Sequence, residues 1–229
     1  MTPTSAAETI ITVQGTATDW YDAERATVNI RVGFDGPKRE PVFDATKRVG
    51  AEVTTALKEL EGSAITRWSS DRISLWSNRP WNNEGKQLAA VYYAALSAEA
   101  RFQDFDALAN LVERFATTEG VTIASITWDL TEERRLAATT DVQTRAVQDA
   151  TVKATTFARA AGLKKVAAVA IADPGMLGDG SSGGGQPFAP QARGAGKMMM
   201  AMDAGQPALT FTPDKIEVTI VVDARFLAS

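Results

Sequence analysis

The sequence predicts an α+β fold: an antiparallel sheet with a ferredoxin-like β-α-β-β-α-β core, an additional long helix and C-terminal strands. Two stretches of period-two alternation mark strands with one buried face, and two stretches of three- and four-residue spacing mark amphipathic helices. Their order across residues 24 to 130 is strand, helix, strand, strand, helix, strand. That order places both helices on one face of an antiparallel sheet.

The elements follow in turn. Thr9 to Gln14, ending at Gly15, reads as a first short strand. In the next strand Ala26, Val28, Ile30, Val32 and Phe34 alternate with Arg25, Thr27, Asn29 and Arg31 until Gly36-Pro37 stops it. From Val42 the period changes: Val42, Ala45, Val49, Val53, Ala56, Leu57 and Leu60 fall on one helical face, and Gly62 ends the helix. Strands at Ile65 to Trp76 and Leu88 to Phe102 are joined by Ser77-Asn78-Arg79-Pro80-Trp81-Asn82-Asn83-Glu84-Gly85, rich enough in turn formers to predict a hairpin. Asp104 suits an N-cap for a helix carrying Phe105, Leu108, Ala109, Leu111, Val112 and Phe115 on one face up to Gly120. Val121 to Leu130 returns to β character.

Thr131-Glu132-Glu133 opens a long helix that Gly162 stops. Its four-three spacing selects Leu136, Thr140, Gln143, Val147, Ala150, Ala154, Phe157 and Ala161 as a seam. At 1.5 Å per residue roughly thirty residues span about 45 Å, more than a small sheet requires. The alanines favour close packing inside the molecule over a subunit contact, and polar Thr140 and Gln143 argue against a coiled coil. Val166 to Ala172 and the alternating Ile216, Val218, Ile220 and Val222 are further strands. Between them, residues 173–207 hold nine of the seventeen glycines, four of the nine prolines and five of the six methionines. Such a composition predicts a flexible loop, and the return of strand character after it predicts one domain over residues 1–229.

Composition bounds the chemistry. Among 229 residues there is no histidine and no cysteine, which removes thiol catalysis, thiolate metal ligands, disulfides and the side chain that titrates nearest neutrality. A net charge of −4 without a basic cluster argues against nucleic acid as a partner. No apolar run reaches the ~18 residues of a membrane span, and Met1 to Glu8 lacks the features of a secretory signal. A cytoplasmic location is therefore expected, or a periplasmic or exported one if a signal peptide has been removed.

Candidate sites are few. Gly178, Gly180 and Gly183 have dinucleotide-binding spacing, but Gly184-Gly185-Gln186-Pro187 follows and no helix can start there to hold a pyrophosphate. Met198, Met199, Met200 and Met202 supply four thioethers, which suit monovalent copper or, more commonly, adaptable apolar contact with another protein. Glu132-Glu133 fits the positive end of a helix dipole, and neither these acids nor Asp104, Asp106 and Glu113 stand beside an evident base. Trp76 is expected in the core and Trp81, at the hairpin tip, on the surface as a contact residue.

Several strings in order resemble the SIMPL-domain family, which includes bacterial periplasmic and outer-membrane immunogenic proteins and an animal protein associated with a signalling kinase. They are Ile11-Thr-Val-Gln-Gly15, the Ala94-to-Phe102 strand followed by Asp106-Ala-Leu, the alanine-rich helix from Ala146 to Gly162, and Phe211-Thr-Pro-Asp-Lys-Ile-Glu-Val218. Ala90-Val91-Tyr92-Tyr93 departs from the pattern, standing where a Gly-Tyr pair is common. The resemblance implies an α+β subunit that assembles into larger rings, with no established enzymatic activity, no cofactor and no catalytic residues to transfer, and with roles around the cell envelope and stress. It points to a non-enzymatic, self-associating protein that contacts other proteins. The alternatives are an enzyme whose carboxylate or metal site forms only on folding, and methionine-based copper binding.

Overall fold

The computed structural model of the protein describes residues 8–177 and 211–229. In chain order its elements are β1 (Thr9–Tyr21), β2 (Arg25–Gly36), α1 (Arg39–Glu59), β3 (Ile65–Ser70), β4 (Ser74–Asn78), β5 (Val91–Phe102), α2 (Phe105–Ala116), β6 (Val121–Asp129), α3 (Glu132–Ala160), β7 (Val166–Ala172) and β8 (Ile216–Ala228). Contacts divide them into two compact units, one of residues 23–129 with 211–214, the other of residues 8–22, 130–177 and 215–229.

The 23–129 unit follows the expected β-α-β-β-α-β order with one strand more between its helices. Its strands lie as β3-β5-β2-β6, every pair antiparallel, with β4 also paired to β5. Because β5 sits between β2 and β3, α1 crosses over one intervening strand, the split βαβ arrangement. The alternation in β2 buries Ala26, Val28, Ile30 and Val32; opposite them β5 buries Leu96, Ala98, Ala100 and Phe102. Val49, Val53 and Leu57 of α1 and Leu108, Leu111, Val112 and Phe115 of α2 complete that core. Each fully buried large apolar side chain stabilises by about 1.5–3 kcal/mol, so this layer outweighs any single polar contact in the unit. Asp104 caps α2 as expected, its carboxylate accepting from the amides of Asp106 and Ala107 at 3.0 Å. At the sheet's far end Arg25 pairs with Asp129 at 2.8 Å.

In the other unit β1, β8 and β7 form an antiparallel three-stranded sheet in that order, with β1 and β8 in register from Thr9↔Ala228 to Tyr21↔Ile216. One face carries α3. Its buried residues are Ala138, Val142, Ala146, Ala150, Ala154 and Ala158, every fourth position, so the helix is buried along a single i±4n ridge. The last four of these pack with Ile11 and Val13 of β1 and with Val222, Ala224 and Phe226 of β8. Gly15 permits the approach: a Cβ there would overlap the Ala146 carbonyl oxygen and lie 2.8 Å from the Ala150 Cβ. Gly162, at φ 80°, ends the helix in a Schellman motif, with Leu163 N–H donating to the Ala158 carbonyl and Gly162 N–H to that of Arg159.

Three sequence expectations need correction. The strand expected from Ile65 to Trp76 is two strands, β3 and β4, interrupted at residues 71–73, each pairing with a different half of β5. The expected seam of α3 is displaced: Ala150 and Ala154 are buried, but Leu136 is 70% and Phe157 56% exposed. The four-three spacing followed the largest side chains, whereas the helix is buried through its smallest. Trp76, expected in the core, is 44% exposed because β4 lies off the main path of the sheet, and its ring stacks on Tyr93 with centroids 5.6 Å apart.

Candidate functional site

The hairpin linking β4 to β5 is a built structure with an apolar surface. Asn82 organises its tip, its side-chain oxygen accepting from the amides of Glu84 at 3.1 Å and Lys86 at 2.8 Å, an Asx-type turn. Trp81 bridges to Gln87, and the Leu88 amide donates to the Pro80 carbonyl at 2.8 Å. This framework holds Trp81 at 67% exposure with Leu88 also exposed, while Trp76 and Tyr93 stack at the base. Trp81 is thus where the sequence reading put it, on the surface of an ordered tip. Met198, Met199, Met200 and Met202 lie outside the described residues, as do Gly178, Gly180 and Gly183.

A second constellation, which the sequence reading missed, runs along α3. Asp141, Arg145, Asp149 and Lys153 follow one another at four-residue spacing with alternating charge, next to the buried ridge. Arg145 pairs with Asp19 of β1 at 2.7 Å and with Asp141 at 2.5 Å, and the Tyr21 hydroxyl donates to Asp141 at 3.3 Å. The Arg134 guanidinium lies over the Tyr21 ring, 5.2 Å from its centroid. One turn on, Asp149 pairs with Lys153 at 2.7 Å and accepts from the Thr16 amide at 2.9 Å, while Lys153 donates to the Gln14 carbonyl at 2.9 Å. The Arg145 hydrogen bond and the Trp20 amide hold the Asp19 carboxyl below its ordinary value, and Lys153 and the Thr16 amide do the same for Asp149. Burial, with Asp19 and Asp141 nearby, raises the Tyr21 hydroxyl. These shifts favour the ionised acids and the neutral phenol, so the cluster is a set of ion pairs linking helix to strand, with only the Arg145 Nε of that guanidinium left buried without a hydrogen bond. The signal was in the sequence: i,i+4 charges of alternating sign along one row of a long helix.

Other acids have structural work. Glu132 and Glu133 sit in the first turn of α3, where the helix dipole favours them, and Thr131 caps that helix by accepting from the Arg134 amide. Among the described residues no three acidic side chains gather as a metal site would require. A shallow apolar cavity of about 230 Å³ lies beside the start of α1, lined by Phe34, Pro37, Pro41 and Val42 among others. Its lining also includes Asp35 and Lys38, which form no ion pair with each other.

Comparison with known protein families finds a match. The model of the SIMPL family, described as a protein of unknown function (DUF541), matches residues 11–226. The chain belongs to the SIMPL family. The match spans nearly the whole SIMPL chain, from within β1 into β8, and takes in residues of both compact units. No curated protein matches it significantly. Among the described residues no helix is long and apolar enough to cross a membrane.

Proposed function

We propose that this SIMPL protein is non-enzymatic and works by association, first with its own copies and then with other proteins, in a stress-response or envelope-related setting. The observation that carries the reading is the hairpin tip. An ordered Asx-type turn uses its hydrogen bonds to keep a loop in one shape, and that loop displays Trp81 and Leu88 to solvent. Tryptophan offers a large contact area at low entropic cost, and preorganising it lowers the cost of binding further. The amino-acid inventory supports the same reading, since the chain holds neither histidine nor cysteine.

Two measurements test it. Light scattering after size exclusion should give a mass above that of one chain at micromolar concentration; a single-chain mass throughout would end the self-association half. A photo-crosslinking residue placed at position 81 in cells should yield a discrete protein adduct. If it reacts only with solvent while the same group at buried Phe115 crosslinks within the chain, the hairpin half is lost.

A further inference from the structure

One end of the sheet in the 23–129 unit carries both a knob and a hole. Gly36, the last residue of β2, pairs with Tyr92 of β5, and Asn78, the last of β4, pairs with Val91. The turn from β2 into α1 and the tip between β4 and β5 therefore leave the sheet at the same end. Strand β5 lies between them, which puts β2 and β4 two strand spacings, about 10 Å, apart. Trp81 stands out on the tip, and the cavity lies at the turn, walled by Phe34, Pro37, Pro41, Val42 and Ala45. Trp81 is not part of the lining of its own chain's cavity: the bridge to Gln87 and the hydrogen bond from Leu88 to Pro80 hold it on its own hairpin.

Size and charge say what fits the cavity. A dry apolar cavity of about 150 Å³ takes one benzene ring, and an indole, with half as many ring atoms again, asks for about 225 Å³ in proportion. The cavity offers about 230 Å³. Pro37 and Pro41 have fixed φ angles, so its wall is formed before anything enters. The rims are complementary as well. Arg79, Lys86 and Glu84 surround the tip, Asp35 and Lys38 border the cavity, and among the described residues none of these side chains is in an ion pair. Two cations on the tip have an acid to meet, and the tip's acid has a lysine.

We propose that the Trp81 indole of one copy plugs the cavity at the start of α1 in the next copy. The proposal rests on the self-association reading and names its contact. Plug and cavity are different patches, so one contact leaves a cavity open on the first copy and a tip free on the second, and copies add until the arrangement closes on itself. A buried tryptophan covers roughly 150–250 Å². A lone specific interface needs about 1,000 Å² or more, so a single plug is weak. Closure, in which every copy gives a tip and receives one, is what makes the assembly hold.

Complementary variants of the full chain test it. Trp81→Ala keeps the cavity and loses the plug. Ala45→Leu, which grows into the cavity from α1, and Pro41→Trp, at an exposed position of its wall, keep the plug and lose the cavity. In sedimentation across a dilution series each should associate about tenfold more weakly than wild type. An unchanged thermal midpoint checks that each folds, and either cavity variant serves if the other does not. Mixing then reads the contact itself. In Ala45→Leu labelled with fluorotryptophan, the Trp81 fluorine signal, assigned by its absence from Trp81→Ala, should shift when unlabelled Trp81→Ala is added and stay in place when unlabelled Ala45→Leu is added. A wild type that assembles while Trp81→Ala assembles equally well overturns the plug and leaves self-association standing. So does a Trp81 signal that neither addition moves, or that both move alike, beside an assembled wild type. A wild type that is a single chain at every concentration removes both.

Discussion

At the residue scale the tightest constraint is Gly15. Any side chain there drives its Cβ into the Ala146 carbonyl, a backbone atom that cannot turn aside. Gly15→Ala should therefore force β1 and α3 apart and destabilise the protein by about 1–3 kcal/mol, the usual cost of overpacking. Chemical denaturation would show it; a variant as stable as wild type would mean that the helix shifts freely over the strand. The ion pairs beside it have a pH signature. Asp19 and Asp149 titrate below the ordinary 3.8 in the folded protein, so their contribution is present above that value and is lost as pH falls through the lowered one. Melting temperatures taken from pH 6 downward should fall less steeply for Asp19→Asn/Asp149→Asn than for wild type. Parallel curves would contradict the assignment.

At the scale of elements, what the sequence disclosed depended on contrast between neighbouring side chains. Strand β2 was legible because Val28, Ile30 and Val32 stand between Thr27, Asn29 and Arg31, and α2 because its buried Leu108, Leu111, Val112 and Phe115 are large. Helix α3 was legible as a helix and illegible as a surface. Its buried ridge is almost entirely alanine, with alanines on its other faces too, so hydrophobic periodicity cannot tell the ridge from the rest. The pairing of β1 with β8 could not be read at all, since no local pattern announces a partner some two hundred residues away. Trp81 was legible because Pro80, Asn82 and Asn83 beside it are turn formers; the charge row on α3 was equally plain but its partners on β1 were not. Caps allow a direct check. Asp104→Ala should cost about 1 kcal/mol through loss of two hydrogen bonds to the first turn of α2, measurable by thermal or urea unfolding, and Asp104→Ser should recover most of it.

At the scale of the whole molecule the missing residue types set the expectation. Without histidine or cysteine, general acid-base or nucleophilic chemistry near neutral pH needs a carboxylate or lysine with a strongly shifted pKa. Two acids of the described residues, Asp19 and Asp149, move away from neutrality, held ionised by Arg145 and Lys153. Broad hydrolase and oxidoreductase profiling, with and without divalent metals, should therefore find no turnover governed by a group titrating between about pH 6 and 8. Activity that copurifies with the chain and disappears in a single Asp→Asn or Glu→Gln variant would overturn the proposal of a non-enzymatic role.

The register that ties Thr9 to Ala228 also sets an order of events during synthesis. A ribosome that has released the chain as far as Asp129 has supplied every strand and both helices of the 23–129 unit, and that sheet can close while translation continues. Strand β1 emerges ahead of that unit and yet has no partner in its own sheet until β8 has been made and has cleared the exit tunnel. Through all of that interval β1 has no strand partner in its own sheet, and a nascent chain halted before β8 should hold a folded middle and an open first strand that chaperones can grasp.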